Sequence, residues 1–304
     1  MKLKKLVTAK VFQATLGVLF ALSAIYYVFF TLDSEPLSTQ EILDRYQYSA
    51  SQNLNFELNK LEENLYEFHY RSFDGAKVKG QIHYPEVKKD RYPVLLGMHA
   101  MGRSYPRWWV DSLKGRPTVT QVNKITQIAR NKGYVVIAID ARYHGSRKKA
   151  DRSLRSIMID LTFLGDKDDY VRMIRDTVLD YRVLLDWIEQ QKELDISNTH
   201  VAGYSMGGQM SLLLAAVDVR ISNVLSIVPP YLEDTTASVA PKNVVSLLDD
   251  NKVWLVTSDD DENATHEENV LLFKRIPSKD KKHIVFKGNH ILPEEYVNSL
   301  VEWF

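Results

Sequence analysis

From Tyr92 onward the chain alternates short, nearly all-apolar runs with longer segments whose apolar residues recur every three or four positions. The short runs are "YPVLLGMH" (Tyr92–His99), "YVVIAID" (Tyr134–Asp140), "THVAGY" (Thr199–Tyr204), "VLSIVP" (Val224–Pro229), "VWLVTS" (Val253–Ser258) and "KHIVFKG" (Lys282–Gly288). A run this short, without polar alternation, reads as a strand buried on both faces, the habit of parallel sheets. Between the runs, Val119–Lys132 puts Val122, Ile125, Ile128 and Ala129 on one helical face and stops at Gly133, a good C-terminal cap. Val171, Ile174, Val178, Tyr181, Leu185 and Ile188 mark a long amphipathic helix, and another helix starts at Met206. Thr265 and Glu268 form a capping box for a helix that runs to about Ile276. Pro293-Glu294-Glu295 opens a last helix whose expected buried face is Val297, Leu300, Val301 and Phe304. Strand–helix alternation forces crossovers onto both faces of the sheet. The expected class is therefore α/β, with a mainly parallel, doubly wound sheet. Ahead of it, Leu65–Pro85 reads as a hairpin turning at Asp74-Gly75.

The N-terminus is organised differently. Residues 1–10 carry four lysines and no acid, and Val11–Leu32 is 22 residues without a charge. About 20 apolar residues span a bilayer, so 11–32 is expected to be an uncleaved transmembrane helix. The lysines hold residues 1–10 in the cytoplasm and place the rest outside it. Tyr26, Tyr27, Phe29 and Phe30 would form an aromatic belt. The competing reading is a signal peptide cleaved near "ALSA" (Ala21–Ala24). Residues 33–64 are expected to be a tether with a short helix capped by Ser38 and Glu41, and 65–304 the α/β domain. The stretch at about 145–169 is too long for an ordinary strand-to-helix loop and is expected to be a small lid insertion. Lys plus Arg and Asp plus Glu both total 39, so bulk charge points to no nucleic-acid partner. With no cysteine, disulfide scaffolds, thiolate metal sites and cysteine nucleophiles are excluded.

The chemistry centres on Gly203-Tyr-Ser-Met-Gly207, at a strand-to-helix turn. A serine hydroxyl becomes a nucleophile only with a base, an acid that orients the base, and donors for the developing oxyanion. In a parallel sheet these groups belong at C-terminal strand ends. Of eight histidines, His290, in the short loop after the last strand, is the best base by position. Asp259, Asp260 and Asp261 follow the Val253 strand, and position does not separate them. The oxyanion donors are expected to be the Met206 N–H at a helix N-terminus and the Met101 N–H in the loop after the first core strand, with Ala100 as the fallback. This chemistry requires no cofactor and no metal.

On these residues the chain resembles a serine hydrolase of the α/β-hydrolase superfamily, in its dienelactone-hydrolase-like and esterase-like branch. "GYSMGG" (Gly203–Gly208) matches the nucleophile elbow, and "HAMG" (His99–Gly102) stands where the family has His-Gly-x-Gly. "DARYHGSR" (Asp140–Arg147), "SDDDE" (Ser258–Glu262) and "GNHILPEEY" (Gly288–Tyr296) match further family motifs, and the likeness covers roughly Leu65 to Phe304. Counting from Ser258, the resemblance selects Asp261 as the acid. Ala100 and Ser258 depart from the family's glycines, and alanine resists positive φ, so the oxyanion loop is expected to differ in shape. The implied activity is carboxylic ester hydrolysis by Ser205, His290 and Asp261. A peptidase or acyltransferase on the same triad is the nearest alternative, and a non-catalytic anchored binding protein the more distant one. On the substrate side, Trp108 and Trp109 of "YPRWW", with His144 and Tyr204, are expected to line the pocket of a small or lipid-like ester. The run Arg142–Arg155, with six Lys/Arg and one Asp, is expected to meet anionic lipid or an acidic substrate.

Overall fold

A computed structural model describes the backbone of residues 2–49 and 54–304, and the side chains of all of these except 2–11 and 14. Helix α1 (Lys2–Phe30) and the short α2 (Thr39–Arg45) come first. Strands β1 (Glu57–Lys60), β2 (Leu65–Arg71), β3 (Lys77–His83) and β4 (Tyr92–Met98) follow. A two-residue ribbon, β5 (Ser112–Leu113) and β6 (Arg116–Pro117), leads into α3 (Val122–Asn131) and β7 (Val135–Ile139). Then come α4 (Leu154–Ile159), α5 (Asp168–Glu189), β8 (Leu194–Tyr204), α6 (Met206–Val217) and β9 (Ile221–Ile227). The chain closes with β10 (Lys252–Ser258), α7 (His266–Arg275), β11 (Lys281–Phe286) and a 3-10 turn over Glu294–Leu300.

Among the described residues, nine strands form one sheet in the order β1-β2-β3-β7-β4-β8-β9-β10-β11. The six from β7 to β11 run parallel, and β1, β2 and β3 add an antiparallel edge. The period-two rule sets the two cores. On β4, Val94, Leu96 and Met98 face one layer with α5 and α6, whereas Leu95 faces the other with α3 and the closing turn. Each fully buried Val, Leu or Ile contributes roughly 1.5–3 kcal/mol. The α/β class and the mainly parallel sheet are as expected, and the hairpin turns at Gly75 with φ 77°.

Three details differ. Strand β1 lies inside the stretch expected to be a tether; its Glu-Leu-Asn-Lys is exposed throughout, so no apolar pattern marks it. The last helix is instead a 3-10 turn. Its three-residue period aligns Val297, Leu300 and Trp303 inward and leaves Val301 exposed, where an α-helix was expected to bury Val301. The side chains of α1 are described from Phe12 onward, Ala14 aside, and they are exposed on every face. Among the described residues, no helix is long and apolar enough to cross a membrane, so the structure does not bear out the anchor expected at 11–32.

The stretch expected to be a lid contains α4 and a π-turn at Asp160–Leu164. Arg152 ties it to Asp160 and to Asp169 on α5. Among the described residues, none of its hydrogen bonds or ion pairs reaches Ser205, Asp261 or His290.

Candidate active site

Ser205 joins β8 to α6 with φ 57° and ψ −119°. A non-glycine residue there is strained by about 1–3 kcal/mol and persists only when its surroundings enforce it. Here Ser205 N–H donates to Ile227 C=O at 2.8 Å, and Gln209 N–H donates to Ser205 C=O at 3.0 Å. The turn is also too tight for side chains. A Cβ on Gly203 would run into the Gly207 carbonyl, and one on Gly207 into the Met98 carbonyl at the end of β4. These two glycines bring the elbow against the loop that follows β4.

His290 and Asp261 arrive from the neighbouring strand ends. His290 Nε2 lies 2.8 Å from Ser205 Oγ, and His290 Nδ1 lies 2.9 Å from each Asp261 carboxylate oxygen. The Asp261 carboxylate is almost wholly buried, and Asn263 N–H donates to it at 2.8 Å. Asp259 instead accepts from Gly288 N–H at 2.9 Å, shaping the turn before His290, and its side chain, like that of Asp260, is exposed. With the carboxylate on Nδ1, a neutral His290 carries its proton there and presents the Nε2 lone pair to the serine. That arrangement can remove the hydroxyl proton and stabilise the resulting imidazolium.

The loop after β4 is fixed by a residue to which the sequence reading gives no role. Buried His99 accepts from Ala141 N–H through Nε2 at 3.0 Å, which leaves Nδ1–H to donate to Ala100 C=O at 2.9 Å. Burial lowers its pKa to about 4, so the ring stays neutral. Because a trans peptide points its C=O and N–H in opposite directions, the Met101 N–H is turned away from His99. It has no acceptor among the described residues. Met206 begins α6, where the first N–H groups lack intrahelical partners. Ala100 needs no positive φ; the loop's left-handed residue is Gly102, at φ 73°. The glycine-to-alanine departure therefore introduces no strain.

The residues expected to line the pocket behave otherwise. Trp108 is fully buried, its ring packed over Gly97 of β4, where any Cβ would meet it; it belongs to the core. Trp109 is half-buried beside His83, with ring centroids 6.5 Å apart. His144 is fully buried against His99, at 5.0 Å between centroids, and burial, with His99 beside it, lowers its pKa to about 3. Tyr204 is 1% exposed. Its hydroxyl donates to His290 C=O at 2.8 Å and accepts from Leu292 N–H at 3.0 Å. It supports the His290 loop rather than facing a substrate. The available signal was chemical: a tyrosine at the end of a buried strand needs a partner for its hydroxyl.

The run Arg142–Arg155 is only partly free. Arg142 bridges Asp74 and Asp180, and Arg147 binds the same buried Asp180 at 2.6 Å. Ser72 donates to that carboxylate at 2.5 Å, completing a polar clasp between the hairpin and α5.

Comparison with known proteins gives the family and the fold. The family model "Acetyl xylan esterase (AXE1)" matches residues 41–243, a span that takes in Ser205 but neither Asp261 nor His290. No curated protein matches the chain by sequence. Among solved structures, acetyl xylan esterase 1 from Thermoanaerobacterium sp. superposes with a TM-score of 0.69 at 17% identity, covering 90% of this chain and 95% of that one. An acetyl xylan esterase from Paenibacillus sp. gives a TM-score of 0.64 at 16% identity, covering 90% and 96%. Est1E from Butyrivibrio proteoclasticus, solved with ferulic acid bound, gives a TM-score of 0.54 at 16% identity, covering 75% and 94%. At these identities the likeness is one of fold.

Proposed function

The chain belongs to the acetyl xylan esterase family and is a serine hydrolase of carboxylic esters; on that premise we propose that Ser205, His290 and Asp261 carry the hydrolysis, and that the substrate is an acetyl ester on a carbohydrate. His290 Nε2 takes the Ser205 proton as Oγ bonds the acyl carbon. Asp261 stabilises the imidazolium. The tetrahedral oxyanion is held by the N–H groups of Met206 and Met101. Protonated His290 then gives its proton to the departing alcohol oxygen as the acyl–oxygen bond breaks, leaving an acyl-enzyme. Water repeats the sequence, releasing the carboxylic acid and restoring Ser205. The observation that supports this most is the continuous Asp261–His290–Ser205 contact, at 2.9 and 2.8 Å. A fluorophosphonate probe is expected to label the chain, and the Ser205→Ala variant to remain unlabelled. Equal labelling of both overturns the assignment, and acetate release from acetylated xylo-oligosaccharides tests the substrate.

The reading also places the domain outside the cytoplasm. Its support is the uncharged run Val11–Leu32 after four lysines, together with the exposed apolar side chains from Phe12 to Phe30. Digestion of the domain by protease added to intact cells is the expected result, and full protection overturns it.

A further inference from the structure

A cleft of about 560 Å³ opens among the loops after β4 and β7 and the β5–β6 ribbon. Six cationic side chains line it: Lys79, Arg103, Arg107, Lys114, Arg116 and Lys148. Its one carboxylate, Asp140, is already engaged by Tyr105 N–H and by the N–H and hydroxyl of Ser146. Lys79 is paired with Glu67 at 2.8 Å. Arg103, Lys114, Arg116 and Lys148 have no carboxylate partner among the described residues. Arg107 is buried, and its guanidinium donates to Arg116 C=O and Thr118 Oγ1, with no carboxylate partner among the described residues. Burial, with Arg103 and Arg116 beside it, holds its pKa below the usual value. Like charges gathered without counter-charge, in a chain of zero net charge, are destabilising unless an anion joins them.

The ribbon is built to hold two of them at this place. Lys114 and Gly115, at φ 51° and 73°, make the two-residue turn of a hairpin whose handedness suits twisted strands. Lysine seldom adopts that conformation, and here it stands at the tip, next to Arg116. The loop carrying Gly102, Arg103 and Ser104 directly continues the one that carries Met101. Strand β7 lies two places from β8, roughly 10 Å across the sheet at the usual spacing.

We propose that this cleft is a subsite for an anionic group on the ester substrate, so that the preferred substrate is an esterified oligosaccharide carrying a carboxylate or phosphate near the scissile ester. The proposal rests on the esterase reading and names its substrate class. The probes are an acetylated xylo-oligosaccharide bearing a glucuronate, the same oligosaccharide without it, and 4-nitrophenyl acetate, all with the full-length chain. The acidic oligosaccharide is expected to show a kcat/KM about tenfold above the neutral one at low salt, as three weak, exposed ion contacts would give. The gap should close near 1 M salt, where the screening length falls to about 3 Å. Combined Lys114→Gln, Arg116→Gln and Lys148→Gln substitutions should abolish the gap through KM and leave 4-nitrophenyl acetate turnover unchanged. Equal turnover of the two oligosaccharides by the wild-type chain overturns the proposal, as does a gap that survives the triple substitution. Adsorption to phosphatidylglycerol vesicles that the substitutions remove, with no gap between oligosaccharides, assigns the cleft to a membrane and also overturns it. Failure of the wild-type chain to hydrolyse 4-nitrophenyl acetate strikes at the esterase reading itself, and is thereby distinguishable.

Discussion

Tyr204→Phe tests whether the position of His290 is set by one buried hydroxyl. Burial raises the Tyr204 pKa to about 12, so the group is a protonated donor at any working pH. It ties His290 C=O, at 2.8 Å, to Leu292 N–H, at 3.0 Å. Phenylalanine preserves the ring packing against Tyr296, whose centroid is 6.2 Å away, and removes only these two bonds. Leu292 is 3% exposed, so water cannot replace the lost acceptor. A buried donor left unpaired costs about 1–3 kcal/mol. If about 2 kcal/mol falls wholly on the loop 288–292, the in-register fraction of His290 drops by up to roughly thirtyfold. The expected result for 4-nitrophenyl acetate is a fall in kcat of about tenfold to thirtyfold with KM little changed, because the substrate's own contacts are untouched. Thermal unfolding should move down by about 4–8 °C for the same 2 kcal/mol. A variant whose melting temperature falls this far while kcat stays within twofold of wild type would show that other contacts hold the loop, and would refute the argument.

Asp261→Asn should slow fluorophosphonate labelling by about 10³–10⁴-fold, because the amide favours the wrong imidazole tautomer; Asp260→Asn, at an exposed side chain, should stay within about threefold, and equal loss in both would remove Asp261 from its role. Gly207→Ala should give a chain that fails to label or fails to fold, since the new Cβ meets the Met98 carbonyl and backbone cannot swing aside; circular dichroism with labelling reads both. Stability should fall with acid in a defined window. Burial lowers the pKa of His83, His99, His200 and His283 to about 4 and that of His144 to about 3. Unfolding therefore binds protons below about pH 6.5, and the stability these rings contribute is present above that value and lost as pH falls towards 4 and 3. Urea titrations between pH 7 and 4 should show a declining midpoint, and His99→Asn should flatten the decline; a midpoint independent of pH over this range would contradict the burial of these rings.

The sheet was legible because strands buried on both faces have almost no freedom of composition. "THVAGY" and "VWLVTS" can hardly be anything else, and their C-terminal ends then say where Ser205 and Asp261 must lie. The site was legible for the same reason, since a base and an acid confined to strand ends leave few candidates. What the sequence hid lies one layer behind. Tyr204 and His144 look like pocket residues because they flank functional motifs, yet the period-two alternation of β8 turns Tyr204 under the His290 loop, and His144 packs against His99. Trp108 follows the oxyanion loop but is drawn inward by the space that Gly97 leaves, a pairing eleven residues apart with no local signature. The cationic cleft escaped for a further reason. The sequence shows a basic run at Arg142–Arg155, and folding neutralises much of that run with Asp74, Asp160, Asp169 and Asp180. The cations left over, at Arg103, Lys114, Arg116 and Lys148, come from three separated segments. Charge in a linear sequence thus marks where cations are made, whereas free charge depends on which carboxylates the fold brings to meet them.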